Sequence, residues 1–176
     1  MLVIAPNPDQ LYIKVEAFLA TVVPTGTPTI RGLDNRTAMP AEGFVLFQLL
    51  FQQRLRTNVE TDEDPFPDPD PGSVAIEQGT QVDMQLDFYG PNSAAWAAMV
   101  STVWRSDYGC RLLAPDCQPL YIDDARMVPL IPGEEQYVER WCSRGVLQWN
   151  PVTSVPQEFA GAASVDIINV DASYPP

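Results

Sequence analysis

Carboxylates and thiols are the groups in this chain whose type and spacing could do chemistry. Asp123-Asp124 and Glu134-Glu135 are adjacent acid pairs. Two carboxylates held in unlike surroundings can divide general-acid and general-base work. Neighbouring side chains in a strand or turn point apart, however, and both pairs read as solvated. Asp62, Asp64, Asp68 and Asp70 could gather oxygen ligands around calcium. Pro65, Pro67, Pro69 and Pro71 hold that stretch extended, and the glycine and closing glutamate of an EF-hand loop are missing, so a solvated acidic loop is the better reading. Cys110, Cys117 and Cys142 lack CxxC spacing. Cys110 and Cys117 could close a small loop in an oxidising setting; three reduced thiols suit a protein made in cytosol. The chain has no histidine, which removes Ser–His and Cys–His nucleophilic pairs and the commonest metal ligand. Lys14, the single lysine, falls on a helix surface, a poor Schiff-base position. No glycine-rich phosphate loop is present. The expectation is no catalytic residue, no cofactor and no metal, and therefore no enzyme.

What remains is surface. The 176 residues suffice for one domain with a real core, and 45% apolar content with 10% aromatics excludes wholesale disorder. The formal charge is −13, and no base occurs between Arg56 and Arg105. Such a chain repels nucleic-acid phosphates over most of its surface, which argues against a gene regulator but suits a conduit that DNA must pass without sticking. The start MLVIAPNPDQ lacks the basic and long apolar regions of a signal peptide. No run approaches the ~18 to 20 apolar residues of a membrane helix.

The elements that position these groups follow from periodicity. Asn7 as N-cap, Pro8 at N1 and Gln10 at N3 predict a helix over 8–22, with Leu11, Val15, Phe18, Leu19 and Val22 on its dry stripe and Pro24 and Gly26 ending it. Thr27 to Leu33 reads as a short strand. Phe44 to Thr57 reads as a long strand with Val45, Phe47, Leu49, Phe51 and Leu55 on one face and Gln48, Gln52, Arg54 and Arg56 on the other. Its antiparallel partner is Ile76 to Phe88, where Val82, Met84, Leu86 and Phe88 alternate with Gln81, Asp83, Gln85 and Asp87. Gly90-Pro91-Asn92-Ser93 then switches the period to a helix, capped by Asn92 or Ser93, with Trp96, Met99, Val100, Val103 and Trp104 as its stripe. Asp107-Tyr108-Gly109 reads as the exit of that helix. Leu120 to Ile131 predicts a short strand and turn. Tyr137 to Pro151 predicts a second long strand, with Tyr137, Trp141, Leu147 and Trp149 opposite Arg140, Arg144 and Gln148. Phe159 to Val170 supplies a last strand. The acidic, proline-rich segment 58–74 is expected to be an extended, PPII-like hairpin arm. The fold class is thus α+β: a mostly antiparallel sheet packed against two helices, in a single domain over 1–176.

Five ordered blocks carry a resemblance: GLDNRTAMPAEGF at 32–44, RLRTNVETDEDP at 54–65, QVDMQLDFYGPNSAAW at 81–96, PLYIDDARMVPLIPGEEQYVERW at 119–141 and QWNPVTSVPQEF at 148–159. Together they resemble the neck or tail terminator proteins of tailed bacteriophages, of the gp12-like neck terminator kind, over residues 8 to 170. The block around DFYGPN is the sharpest, and the Asp-Pro-rich arm is the departure. The resemblance implies a structural virion protein made in the host cytoplasm. It implies a homohexameric ring at the head-proximal end of the tail tube, ending tube polymerisation and joining tail to neck. Its implied partners are further copies of itself, the tail tube protein, a neck stopper or connector and, in a contractile tail, the sheath; genomic DNA passes through without specific binding, and no membrane is involved. Within that frame the arm, with Glu60, Asp62, Glu63, Asp64, Phe66, Asp68 and Asp70, is expected to reach a neighbour. Arg54, Arg56, Arg140 and Arg144 are expected to pair with acids across subunit boundaries, and Asp83 and Asp87 to contribute to the lumen. The rival readings are another neck or tail component, such as a stopper, tail-completion factor or tube protein, and an acidic calcium-dependent binding module. A carboxylate hydrolase ranks last.

Overall fold

The computed structural model describes residues 2–32, 40, 42–65, 72–128 and 138–159. Its elements run β1 (Val3–Ala5), α1 (Pro8–Val22), β2 (Thr29–Arg31), β3 (Phe44–Arg54), β4 (Val59–Glu63), β5 (Gly72–Glu77) and β6 (Thr80–Tyr89). They continue with α2 (Ser93–Trp104), α3 (Asp107–Leu113), β7 (Cys117–Ile122), β8 (Arg126–Met127), β9 (Arg140–Trp149) and β10 (Val152–Gln157). The fold is α+β and mostly antiparallel, as the periodicities predict. Helix α1 has the expected bounds because its capping box forms: the Gln10 amide donates to Asn7 Oδ1 at 2.9 Å, and the Asn7 amide donates to Gln10 Oε1 at 2.7 Å.

Six strands make the main sheet, in the order β2-β3-β6-β9-β7, with β8 paired to β9. The central hairpin is the one read from sequence: β3 runs antiparallel to β6 from Phe44 opposite Tyr89 to Arg54 opposite Thr80. The short strand β2 pairs with β3 in parallel. A bulge between Leu49 and Phe51 corrects the face assigned to the end of β3. One extra residue reverses side-chain parity, so Phe51 lies opposite Asp83 on the polar face and is 56% exposed.

The dry face of this sheet meets the helices. Val45, Phe47, Val82, Met84, Leu86, Phe88 and Leu147 pack against Leu11, Val15, Phe18 and Leu19 of α1 and Trp96, Val100 and Trp104 of α2. Gly145 of β9 makes room for Trp104: a Cβ there would lie 2.7 Å from the indole Cζ2. The indole meets Phe18 edge-on at 5.4 Å. Met99, placed on the α2 stripe by spacing, is exposed, and Ala97 takes its share of the buried face. Asn92 is the N-cap of α2 by position, without a side-chain cap bond, and Ser93 is buried inside the first turn. Gly90 supplies the sharp entry with φ +102. Where a helix exit was expected, a third helix forms, because the Ser106 hydroxyl accepts from the Gly109 amide and restarts the turn.

A second sheet, of order β1-β10-β5-β4, replaces the expected PPII arm. Val59–Glu63 is a regular strand paired with β5, from Val59 opposite Glu77 to Glu63 opposite Ser73. The local prolines begin only at Pro65, so β4 keeps its amide donors; residues 66–71 lie outside the described residues. The strand expected over Ile76–Phe88 is likewise two strands. It breaks at Gln78-Gly79, where the Leu55 amide donates to Gly79 O at 2.9 Å and the Gln78 amide to Pro151 O at 3.0 Å. Three strands therefore cross from one sheet to the other at a shared corner: β3 into β4, β5 into β6 and β9 into β10. The last strand expected over Phe159–Val170 lies almost wholly outside the described residues, and β10 precedes it.

Cys110, Cys117 and Cys142 are all free thiols. Burial pushes the Cys117 thiol up to about 12 from an ordinary 9.0, with Asp116 adding to the effect. A folded-state pKa above the unfolded one keeps a proton that the unfolded chain sheds, so stability is full below pH 9 and falls between pH 9 and 12. Going from pH 8 to pH 10 should cost on the order of 1 kcal/mol through this thiol. Urea midpoints at the two pH values should converge in Cys117→Ala relative to the native chain; equal pH dependence in both would refute the assignment.

Candidate functional site

The other face of the six-stranded sheet carries polar and charged rows, with Leu46, Phe51 and Val146 among them, and β6 lies at its centre. Across the register, Gln53, Gln81, Gln148 and Gln118 form one row over four strands. Gln48, Gln85 and Arg144 form another. Each acid of β6 is held by the glutamine two residues before it: Gln81 Nε2 donates to Asp83 Oδ1 at 3.1 Å, and Gln85 Nε2 to Asp87 Oδ2 at 2.7 Å. Strand β9 supplies the cations. Arg140 Nη2 donates to Asp87 Oδ2 at 3.0 Å, and Arg144 Nε donates to Asp83 Oδ2 at 3.1 Å. Arg144 also lies 3.7 Å from Asp123, which with Asp124 is exposed beyond β7.

This arrangement fixes the electrostatics of the face. Asp83 and Asp87 are only 6% and 2% exposed. Burial pulls the Arg140 guanidinium down, but the hydrogen bond and charge of Asp87 outweigh it and its pKa rises. The hydrogen bond to Asp83 raises that of Arg144. Burial, together with the Asp87 carboxylate, pushes the Cys142 thiol up to about 12. The face is thus a compensated network of amides and ion pairs rather than a bare acidic lining. Arg140 also lies over the ring of Tyr89, which stacks on Phe44 at 4.4 Å. The arginines find acids within their own subunit: Arg140 with Asp87, Arg144 with Asp83, and Arg56 with Glu77. Arg54 reaches the Gln78 amide oxygen at 3.4 Å.

The bare acid lies elsewhere. Glu60, Asp62 and Glu63 are exposed along β4, and only Glu63 takes a bond from Ser73, at 2.9 Å. Asp64 follows the strand and is exposed; Phe66, Asp68 and Asp70 lie outside the described residues, as do Glu134 and Glu135. Among the described residues no group of three or more Cys, Asp or Glu could hold a metal ion. No helix among them is long and apolar enough to cross a membrane. Lys14 lies 3.7 Å from Asp116, a structural ion pair. The sequence reading missed strand β1, whose Val3 and Ile4 are 61% and 44% exposed, as is Leu2 before it at 62%. The signal was the short apolar run LVIA bounded by Pro6.

A family model for the phage neck terminator protein matches residues 9–171. No curated protein matches the sequence. Among solved structures, the fold resembles the sheath/tube terminator of the extracellular contractile injection system PVC in its extended state. The TM-score is 0.52 at 10% identity, with 96% of this chain covered. This chain spans 65% of the length of that terminator.

Proposed function

This chain belongs to the phage neck terminator family, and from that premise we propose that it forms a homohexameric ring closing the head-proximal end of the tail tube. The ring ends tube polymerisation, offers the neck stopper a docking face and lets DNA through its lumen. The family match across nearly the whole chain carries this reading. The site geometry supports it: buried, paired charges on a rigid sheet suit a scaffold, and the exposed acids of β4 suit a surface that phosphate does not stick to. Under this reading Glu60, Asp62, Glu63 and Asp64, together with Phe66, Asp68 and Asp70 between β4 and β5 in the sequence, contact a neighbouring subunit or neck protein. Arg54 and Arg56 lie just before β4 in the sequence. The polar face holding Asp83, Asp87, Arg140 and Arg144 lies along the passage as a charge-balanced wall.

Particle location tests this directly. Electron micrographs of virions carrying a labelled chain should show one ring between tube and neck. Purified protein added to polymerising tube protein should cap the tubes and shorten them. Label repeated along the tube, or tube growth unaffected by saturating protein, would overturn the reading. Replacing residues 65–71 by a two-residue turn should leave the monomer folded and weaken neck attachment; unchanged attachment would remove residues 65–71 from the contact.

A further inference from the structure

We propose that the four-stranded sheet is the joint between neighbouring copies, with the β4 edge of one subunit pairing antiparallel to the β1 edge of the next. This rests on the ring reading above and adds the surface that closes it. Both outer strands of the sheet have a neighbour on one side only among the described residues. An open strand edge is a template for another strand, and proteins cover or charge such edges. Here the two edges differ. Strand β4 reads VETDE and is exposed throughout. Strand β1 reads VIA, carries no charge and is also exposed throughout.

Strand direction selects the pairing. Each neighbour pair, β1 with β10, β10 with β5 and β5 with β4, is antiparallel, so β1 and β4 run in opposite directions. Repeating the subunit side by side sets β1 of one copy antiparallel to β4 of the last, and the alternation continues unbroken. Charge disfavours β4 against β4, and a two-fold pairing of either edge would stop at two copies rather than close a larger ring. Two β4 edges laid together would set acids such as Glu60 and Asp62 against acids of the other copy, which destabilises a strand pair. A neutral edge against an acidic one carries no such conflict. The contact is therefore head to tail, the kind that closes into rings. The sheet also needs company: its residues are mostly exposed, and the buried core lies in the other sheet and the helices, with Val74 the one apolar strand residue here that is largely covered.

Register names the residues that meet. Ile4, Thr153, Ile76 and Glu60 form one row across the sheet, so Ile4 and Glu60 share a face. Asp62, two residues on, shares that face too. Ile4→Glu places an acid beside Glu60 and Asp62 of the next copy. It should weaken ring formation about tenfold or more, read by sedimentation of the full chain. Adding Glu60→Lys and Asp62→Lys should restore the ring. A folded Ile4→Glu protein that assembles like the native chain, or a triple variant without rescue, would overturn the joint. A second measurement needs no variant: amide exchange at residues 3–5 and 59–63 should slow on passing from monomer to ring, and unchanged exchange there would equally overturn it. A native protein that caps tubes without forming any ring would sink the ring reading itself, a result distinct from a ring that forms with both edges still exchanging.

Discussion

Arg140→Leu is expected to lose about 3–5 kcal/mol of folding stability, the usual cost of stranding one member of a buried ion pair. Asp87 is the reason. Its carboxylate is almost fully covered and takes its charge partner from Arg140 at 3.0 Å. Removing the guanidinium leaves the Gln85 amide as a neutral donor and no compensating charge. Asp87→Asn in the same background should return much of the loss, because the stranded charge goes with it. Arg144→Leu should cost less, since Arg144 is the more exposed cation of the two and its pair is better screened. Urea midpoints of the single and double variants measure all of this; an Arg140→Leu midpoint close to native would mean that Asp87 finds its compensation elsewhere. The same geometry bears on a test of the lumen role proposed for Asp83 and Asp87. Asp83→Lys with Asp87→Lys would set two more cations against Arg140 and Arg144 on a closed surface. That variant should fail to fold before it reports on DNA passage, whereas changes at exposed β4 acids leave the fold intact.

The second large effect is expected at the contact between Trp104 and Gly145. Trp104 is fully buried, crosses Phe18 edge-on and reaches Val146 O from its indole nitrogen at 3.4 Å. Trp104→Ala should cost about 3–5 kcal/mol through lost contacts and the cavity left between helix and sheet. Gly145→Val attacks the same contact from the other side. Its Cβ alone would lie 2.7 Å from Cζ2 and 2.9 Å from Cη2 of the indole, neither of which can retreat from a packed core. Thermal melts of both variants should show large downward shifts, and Gly145→Ala combined with Trp104→Phe should do better than additivity predicts. A Gly145→Val protein with a native melt would show that the helix layer is not pinned there.

The local signals account for much of this agreement. The Asn7–Gln10 capping box, the alternation of Val82 to Phe88 and the period change at Gly90 each act within a few residues, so they can be read in a row of letters. The errors arose where one residue changes a long-range relation. The bulge beside Leu50 reversed the face of Phe51, and nothing in FQLLFQQR marks it. The corner at Gln78-Gly79 split one apparent strand into two sheets, because its bonds run to Leu55 and Pro151. Helix α3 went unread because Asp107-Tyr108-Gly109 resembles an ending, while Ser106 makes it a beginning. The candidate site shows the same division. Arg140, Arg144, Asp83 and Asp87 all read as strand residues of the polar face; that they pair with one another within the subunit does not show in the sequence.

By itself, the sequence determined the fold class, the central hairpin, the first two helices and the family, since each rests on local pattern or on ordered blocks of residues. Only the tertiary structure decided who pairs with whom. Arg140 meets Asp87 across 53 positions and Arg144 meets Asp83 across 61. Strand periodicity tells which face a side chain takes but says nothing of the strand laid beside it, and that neighbour gives Asp83 and Asp87 their charge partners. The same holds for the edges: β1 and β4 are ordinary short strands in sequence, and only the order of the folded sheet leaves both of them without a second neighbour among the described residues.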